Sequence, residues 1–238
     1  KATGVPLAKV AVRVMLGEKL AAMAELPPPA GGVWWGHDRM DHVAVKEAVL
    51  PFGRFPGVDT LLGPEMRSTG EVMGIDKELG LAFSKSQAAG GWALPTKGRV
   101  FVSVANPDKA SVVEPVRTLV DLGFEVLSTE GTAAFLNEAG IAATAVAKFS
   151  EGSPNVVEQI LAGEVDLIVN TPRGRGPRAD GYEIRTAAVR KNIPYVTTIA
   201  GVRAMAAGIE ALCRGEQSVR PLQDYLDYRG RAQGEGVA

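Results

Sequence analysis

From about residue 100 the chain alternates short apolar runs with amphipathic ones, and this rhythm limits the fold more than any other feature. The pattern predicts strands over 100–105, 125–128, 143–147, 166–170 and 195–198. Helices are predicted between and after them, over 108–122, 132–139, 154–162, 182–191 and 202–213. Strands without a polar face must be covered on both sides, as in a parallel sheet wrapped by helices. Strand–helix alternation also makes crossover connections the default. The expected class is therefore α/β, with a doubly wound, mostly parallel five-stranded sheet. In such sheets ligands gather at the carboxyl ends of the strands.

The first part of the chain has another texture. Thr3 is placed to cap a helix in which Leu7, Val10, Ala11 and Val14 share a face, ending at Gly17. Residues 26–41 are broken by prolines and glycines and read as a loop. Residues 43–50 read as a strand closed by Pro51, and 76–89 as a helix with Leu79, Ala82, Phe83 and Ser86 in register. One helix, one or two strands and long loops cannot close a core, so this stretch reads as the tail of a larger domain. The expected division is a first region over 1–90, a linker over 91–98, a second domain over 99–225 and a flexible tail over 226–238.

Composition narrows the chemistry. Twenty-six Lys and Arg against 27 Asp and Glu leave a net charge of -1, so no general basic field exists to hold nucleic acid or an anionic membrane. No apolar run is long enough to span a bilayer and the first residues lack a secretory core, which points to the cytoplasm. The single cysteine, Cys213, excludes a disulfide framework, and His37 and His42 alone make a histidine-based metal site or triad improbable.

The sharpest local signal is Ser128-Thr129-Glu130-Gly131-Thr132, where a strand ends and a helix begins. A helix N-terminus offers unpaired N–H groups and a partial positive charge, which suit a phosphate. Alternatively, Thr129 or Thr132 simply caps the helix. Lys109 and Lys148 fall at the same rim of the predicted sheet, and Ser103, Asn170 and Thr171 complete a ring of small polar groups. Arg173, Arg175 and Arg178, spaced by glycine and proline, read as a basic mobile loop that is either merely solvated or serves to recruit an anion or dock against another domain, with Asp180 placed to cap the following helix. Glu47 reads most simply as an exposed pair with Lys46, and Asp59 and Glu65 lie in loops. No nucleophile, base and orienting group assemble.

These residues also carry a family resemblance. KATGVPLAKVA at 1–11, EAVLPFGRFPGVDTLLGPEMRSTGEVMG at 47–74 and the strand–helix region from about Lys97 together resemble the carboxyl-terminal end of the carbamoyl-phosphate synthase large subunit, as far as about Tyr225. The resemblance implies an enzyme that makes carbamoyl phosphate from ATP, bicarbonate and glutamine-derived ammonia for pyrimidine and arginine biosynthesis. It uses ATP and Mg or Mn, and its partner is a glutaminase small subunit. Residues 1–90 would be the last piece of an ATP-grasp half, the partner being the rest of the large subunit. The family's metal-binding Glu and Asn precede the KATG motif, so no catalytic residue, metal or cofactor is expected in this stretch and the chain alone should be inactive.

Residues 99–225 resemble the methylglyoxal-synthase-like allosteric domain, of Rossmann type, which binds UMP as inhibitor and IMP as activator and also mediates homo-oligomers. The resemblance places the nucleotide phosphate at Ser103, Lys109, Thr129, Thr132 and Lys148, with Asn170 and Thr171 nearby, and ornithine at Glu47, Tyr195 and Thr197. Pro172 departs from the family pattern, which has a threonine there. The competing expectation is a free-standing lyase acting on a triose phosphate. Such an enzyme needs an aspartate beside the phosphate, and the strand end Asn170-Thr171-Pro172 offers none.

Overall fold

The computed structural model describes residues 1–23, 26, 40–51, 66–171, 176–215 and 217–225, with the backbone alone for 176–179. Most of the loop expected over 26–41, His37, Asp59, Glu65, Pro172, Arg173, Arg175, the Arg178 side chain and the tail over 226–238 lie outside the described residues. In chain order the elements are α1 (Leu7–Met15), β1 (Val43–Val49), β2 (Gly70–Asp76), α2 (Leu79–Ala89), β3 (Gly98–Val104), α3 (Lys109–Asp121), β4 (Phe124–Ser128) and α4 (Glu130–Glu138). Then follow β5 (Ala143–Ala145), α5 (Val156–Ala162), β6 (Leu167–Thr171), α6 (Gly176–Lys191), β7 (Tyr195–Val196), α7 (Ile199–Cys213) and α8 (Leu222–Tyr225). The chain forms two compact units, Lys1–Val43 with Ser218–Ala238, and Ala44–Gln217.

The smaller unit gathers Val5, Val10, Met23 and Leu26 into a small core. Buried His42 lies edge-on to the Tyr225 ring at 5.8 Å and places Nε2 2.7 Å from the Ala2 carbonyl. Thr3 does not cap α1. Its hydroxyl accepts the N–H of Val5, and the helix begins after Pro6, whose fixed φ suits the approach to a first turn. Of the predicted apolar face only Val10 is buried, while Leu7 and Val14 are 54% and 43% exposed.

In the larger unit β1 and β2 pair as a two-stranded sheet, and the other five strands lie in the order β5-β4-β3-β6-β7, every pairing parallel. The chain builds outward from β3 on one side and then crosses back to β6, so the order reverses at β3. That reversal opens a crevice beyond the carboxyl ends of the strands. Both faces are covered, as the unbroken apolar strands require. Val100, Val102, Val126 and Val169 pack with Val112 and Val116 of α3 and Val202 and Met205 of α7. On the other face Phe101, Leu127 and Ile168 meet Val156 and Ile160 of α5 and Ile184 and Ala188 of α6. Each fully buried Val, Ile, Phe or Met among these contributes about 1.5–3 kcal/mol.

Several boundaries differ from the sequence reading for local reasons. α4 starts at Glu130 rather than 132, and Thr129 takes the position before it. α6 starts at Gly176 rather than 182, because a proline in a first turn loses no hydrogen bond. Asp180 therefore lies inside the helix and does not cap it. Residues 70–76 form β2, so the helix expected from 76 begins at Leu79.

α2 packs closely along α7. A Cβ at Gly80 would lie 2.5 Å from the Ala207 carbonyl oxygen, and one at Gly208 would meet Phe83 and Leu94 at 3.1 and 3.2 Å. Arg214 after α7 pairs with Glu78 before α2. Gly80→Ala should therefore force the helices apart and lower stability by about 1–3 kcal/mol, read as a drop of several degrees in melting temperature. Gly70→Ala, whose Cβ meets nothing within 4 Å, should change it little. Equal effects from the two would refute the close-packing argument.

Candidate functional site: a cleft at the carboxyl rim of the sheet

Parallel pairing sets Ser103 of β3 directly beside Asn170 of β6, and Val104 beside Thr171. On the other flank Val102 lies beside Ser128, so β4 ends level with them and Thr129 follows at the mouth of α4. A cleft of about 670 Å³ opens at this rim. It is lined by all seven residues expected at the nucleotide site: Ser103, Lys109, Thr129, Thr132, Lys148, Asn170 and Thr171.

Three hydroxyls meet on its floor. Thr129 Oγ1 is 3.4 Å from Ser103 Oγ and 3.4 Å from Thr132 Oγ1. Thr129 stands at the cap position of α4 with extended backbone, yet its side chain accepts no hydrogen bond from the helix. Its carbonyl instead takes the N–H groups of Thr132 and Ala133, at 2.9 and 2.8 Å. The capping alternative thus fails, and the hydroxyl remains with its two neighbours. The amides of Glu130 and Gly131 belong to a first turn, which has no intrahelical acceptor to offer them.

The ammonium groups are placed differently. Lys109 Nζ donates to the Gly131 carbonyl at 2.6 Å and lies 5.9 Å from the centre of the Phe135 ring, which holds it at the mouth of α4. Lys148 precedes the short turn Phe149–Glu151 and is half exposed. Its Nζ contacts Glu151 Oε1 at 2.6 Å, and its backbone N–H donates to Oε2 at 2.8 Å. That hydrogen bond raises the lysine above its ordinary pKa and lowers the glutamate below its own.

Asn170 and Thr171 divide their roles. Buried Asn170 donates through Nδ2 to the Ser103 carbonyl at 3.4 Å, while its Oδ1 has no partner among the described residues. Thr171 gives its hydroxyl proton to buried Asp108 at 2.9 Å and accepts the Ala105 N–H at 3.3 Å, so it braces the turn after β3. Ser128 is fully buried and bonds the Val102 carbonyl at 2.6 Å, stitching strands together. Asp180 also lines the cleft and accepts from the N–H and hydroxyl of Ser150, both at 3.1 Å. Neither Asp180 as a cleft residue nor Glu151 was foreseen. The i, i+3 spacing of Lys148 and Glu151 is the one signal that could have found the latter.

Glu47, Tyr195 and Thr197 do not line this cleft. Glu47 on β1 does not pair with Lys46, which reaches Glu71 at 2.5 Å. Its carboxylate accepts instead from Ser86 Oγ at 3.2 Å and from Gln87 Nε2, both on α2. Alternation along a strand explains the correction, since residues 46 and 47 point to opposite faces. Tyr195 lies edge-on to Trp92 at 5.9 Å, and Thr197 is half-buried just before Thr198, which caps α7. Among the described residues no cluster of three or more His, Cys, Asp or Glu side chains is placed to hold a metal ion. No helix among them is long and apolar enough to cross a membrane.

Residues 111–197 match the family described as the MGS-like domain, and the parallel sheet is consistent with it. That span holds Thr129, Thr132, Lys148, Asn170 and Thr171, with Ser103 and Lys109 just before it. Similarity extends much further along the chain. It is 52% identical to the carbamoyl phosphate synthase large chain of Streptomyces avermitilis over 96% of its length, covering 22% of that protein. The large chains of Rhizobium meliloti and Mycobacterium tuberculosis are 49% and 53% identical over 95% and 94% of it, covering 19% and 21% of theirs. The chain belongs to the carbamoyl phosphate synthase large-chain family and spans about a fifth of the length of these relatives. Among solved structures, that of ForH is a distant likeness, with 17% identity and a TM-score of 0.34 over 58% of this chain and 92% of its own.

Burial holds the Glu47 carboxyl above the usual glutamate range, against the pull of its hydrogen bonds from Ser86 and Gln87. A group raised on folding contributes stability below its unfolded pKa and loses that contribution as pH rises through its folded value. Glu47→Gln keeps an acceptor for both neighbours. It should melt above the parent at about pH 7.5, with the difference shrinking toward zero below about pH 4, where both side chains are neutral. A difference that does not vary over this range contradicts the burial account.

Proposed function

We propose that this chain is the effector-binding end of a carbamoyl-phosphate synthase large subunit, and that its cleft takes the phosphate of a nucleoside monophosphate, UMP as inhibitor or IMP as activator. The observation that carries this reading is the convergence of the hydroxyls of Ser103, Thr129 and Thr132, the mouth of α4 and the ammonium groups of Lys109 and Lys148 on one cleft. Hydroxyl and amide donors at a helix N-terminus, with lysines at its edge, are what a phosphate asks for. Asn170 adds a buried polar group beside them.

On this reading the remainder of the enzyme supplies the chemistry. It makes carbamoyl phosphate from ATP, bicarbonate and ammonia released from glutamine by a small subunit, in the cytoplasm, with Mg or Mn at sites outside this stretch. The first region, 1–90, completes an ATP-grasp half and the 91–98 segment joins it to the allosteric domain, which also serves self-association. Ornithine binds through Glu47, Tyr195 and Thr197. A half-buried carboxylate held by two neutral side chains is costly alone and gains from a cationic ligand. Regulation then requires that each effector favour one arrangement of the enzyme, with a coupling of about 1–3 kcal/mol between sites.

A free-standing lyase is the second reading, and the Asp180 carboxylate at the cleft is the observation in its favour. Both Asp180 oxygens, however, are engaged by Ser150.

Titration calorimetry with UMP should give saturable heat, and UMP should raise the melting temperature of the chain. Lys148→Ala should weaken that affinity on the order of tenfold. No heat and no shift at millimolar UMP would overturn the effector reading, and formation of methylglyoxal from dihydroxyacetone phosphate would replace it with the lyase.

A further inference from the structure

One of the two lysines that line the cleft is held by a carboxylate beside it. Glu151 closes the short turn after Lys148 and grips that lysine twice, through Oε1 on the ammonium and Oε2 on the backbone N–H. The pair is 44% exposed at each partner, and of the two only Lys148 lines the cleft. Asp180 and Glu130 act on the same ammonium at longer range. Lys148 is thus a cation already in use.

We propose that Glu151 is an internal counter-anion of the cleft, which occupies Lys148 while the site is empty and which an incoming phosphate must displace to gain that lysine. The proposal rests on the reading of the cleft as a mononucleotide site and assigns to Glu151 the setting of its affinity. The geometry permits the exchange without unfolding the turn. Only the Nζ–Oε1 contact has to open; the Oε2 bond to the Lys148 amide can persist and keep the glutamate in place. A phosphate therefore breaks one exposed ion pair to make a stronger one with its own double charge at Lys148, so the glutamate subtracts part of what that lysine contributes beside the hydroxyl floor, the mouth of α4 and Lys109. Because exposed pairs are worth little each, the carboxylate weakens binding only modestly. That suits an effector site that must empty as well as fill.

Glu151→Gln tests this directly, since glutamine can still accept the Lys148 N–H but has no charge to offer the ammonium. In calorimetric titrations of the 238-residue chain at one fixed salt concentration, E151Q should bind UMP about two- to five-fold more tightly than the parent. Inorganic phosphate, the second probe, should gain in the same direction. The gain must act through Lys148, so the double variant K148A/E151Q should bind no better than K148A. Glu164→Gln removes the same charge near the opposite rim of the sheet and should leave affinity unchanged. Should Gln disturb the turn, Glu151→Asn, likewise uncharged, should gain in the same direction. A parent that binds UMP beside an E151Q that binds no better, or a gain that survives in the K148A background, overturns the role of Glu151 and leaves the cleft standing. If neither parent nor variant takes up either probe, the cleft reading fails and the proposal with it.

Discussion

β3 runs down the middle of the parallel sheet, and the register of its two flanks is the constraint from which the cleft follows. Pairing with β6 puts Ser103 beside Asn170, and pairing with β4 brings Ser128, and so Thr129, level with Val102. Side chains alternate along a strand, so a slip of one residue in β3 would turn Ser103 to the α3 and α7 face and send Val104 to the cleft. Register here is pinned from both sides by apolar packing: Val100 and Val102 are fully buried on one face and Phe101 on the other. The polar rim thus borrows its geometry from the core. The hydroxyl of Ser103 meets that of Thr129 because the valines below leave no other alignment.

The electrostatics of the rim are balanced rather than simply positive. Lys109 is held by a carbonyl and an aromatic face, Lys148 by a carboxylate, and Asp180 by the Ser150 turn. Each of these two cations thus already has a neighbour that any entering anion would have to displace. The same economy marks Glu47, a half-buried acid with two neutral partners on α2. α2 in turn packs against α7, which covers the sheet, through glycine-sized contacts.

Much of this was legible in the residues. Uninterrupted apolar strands at regular spacing announce a doubly covered parallel sheet, and small polar residues recurring at strand ends mark the rim where the cleft opens. What escaped depends on geometry that no linear pattern holds. The start of α6 was hidden because glycine and proline at 176 and 177 read as breakers, although a first turn tolerates both. Thr3 looked like a cap, yet the helix waits until after Pro6. Asp180 came to the cleft only through tertiary contact with Ser150, thirty positions away in the chain. For Thr129 the sequence offered two roles at one position, and only the direction of its side chain could choose between them.

The central claim is that the ends of β3, β4 and β6 and the mouth of α4 form a single receptor for phosphate. Backbone amide shifts of the isotopically labelled chain, followed by NMR as UMP is added, test it most directly. The largest changes should cluster at Ser103, Thr129 to Thr132, Lys148 to Glu151 and Asn170, moving together with one saturation curve. Shifts confined to the opposite rim, around Arg99, Glu125 and Glu164, or separate curves for the α4 and β6 residues, would contradict it.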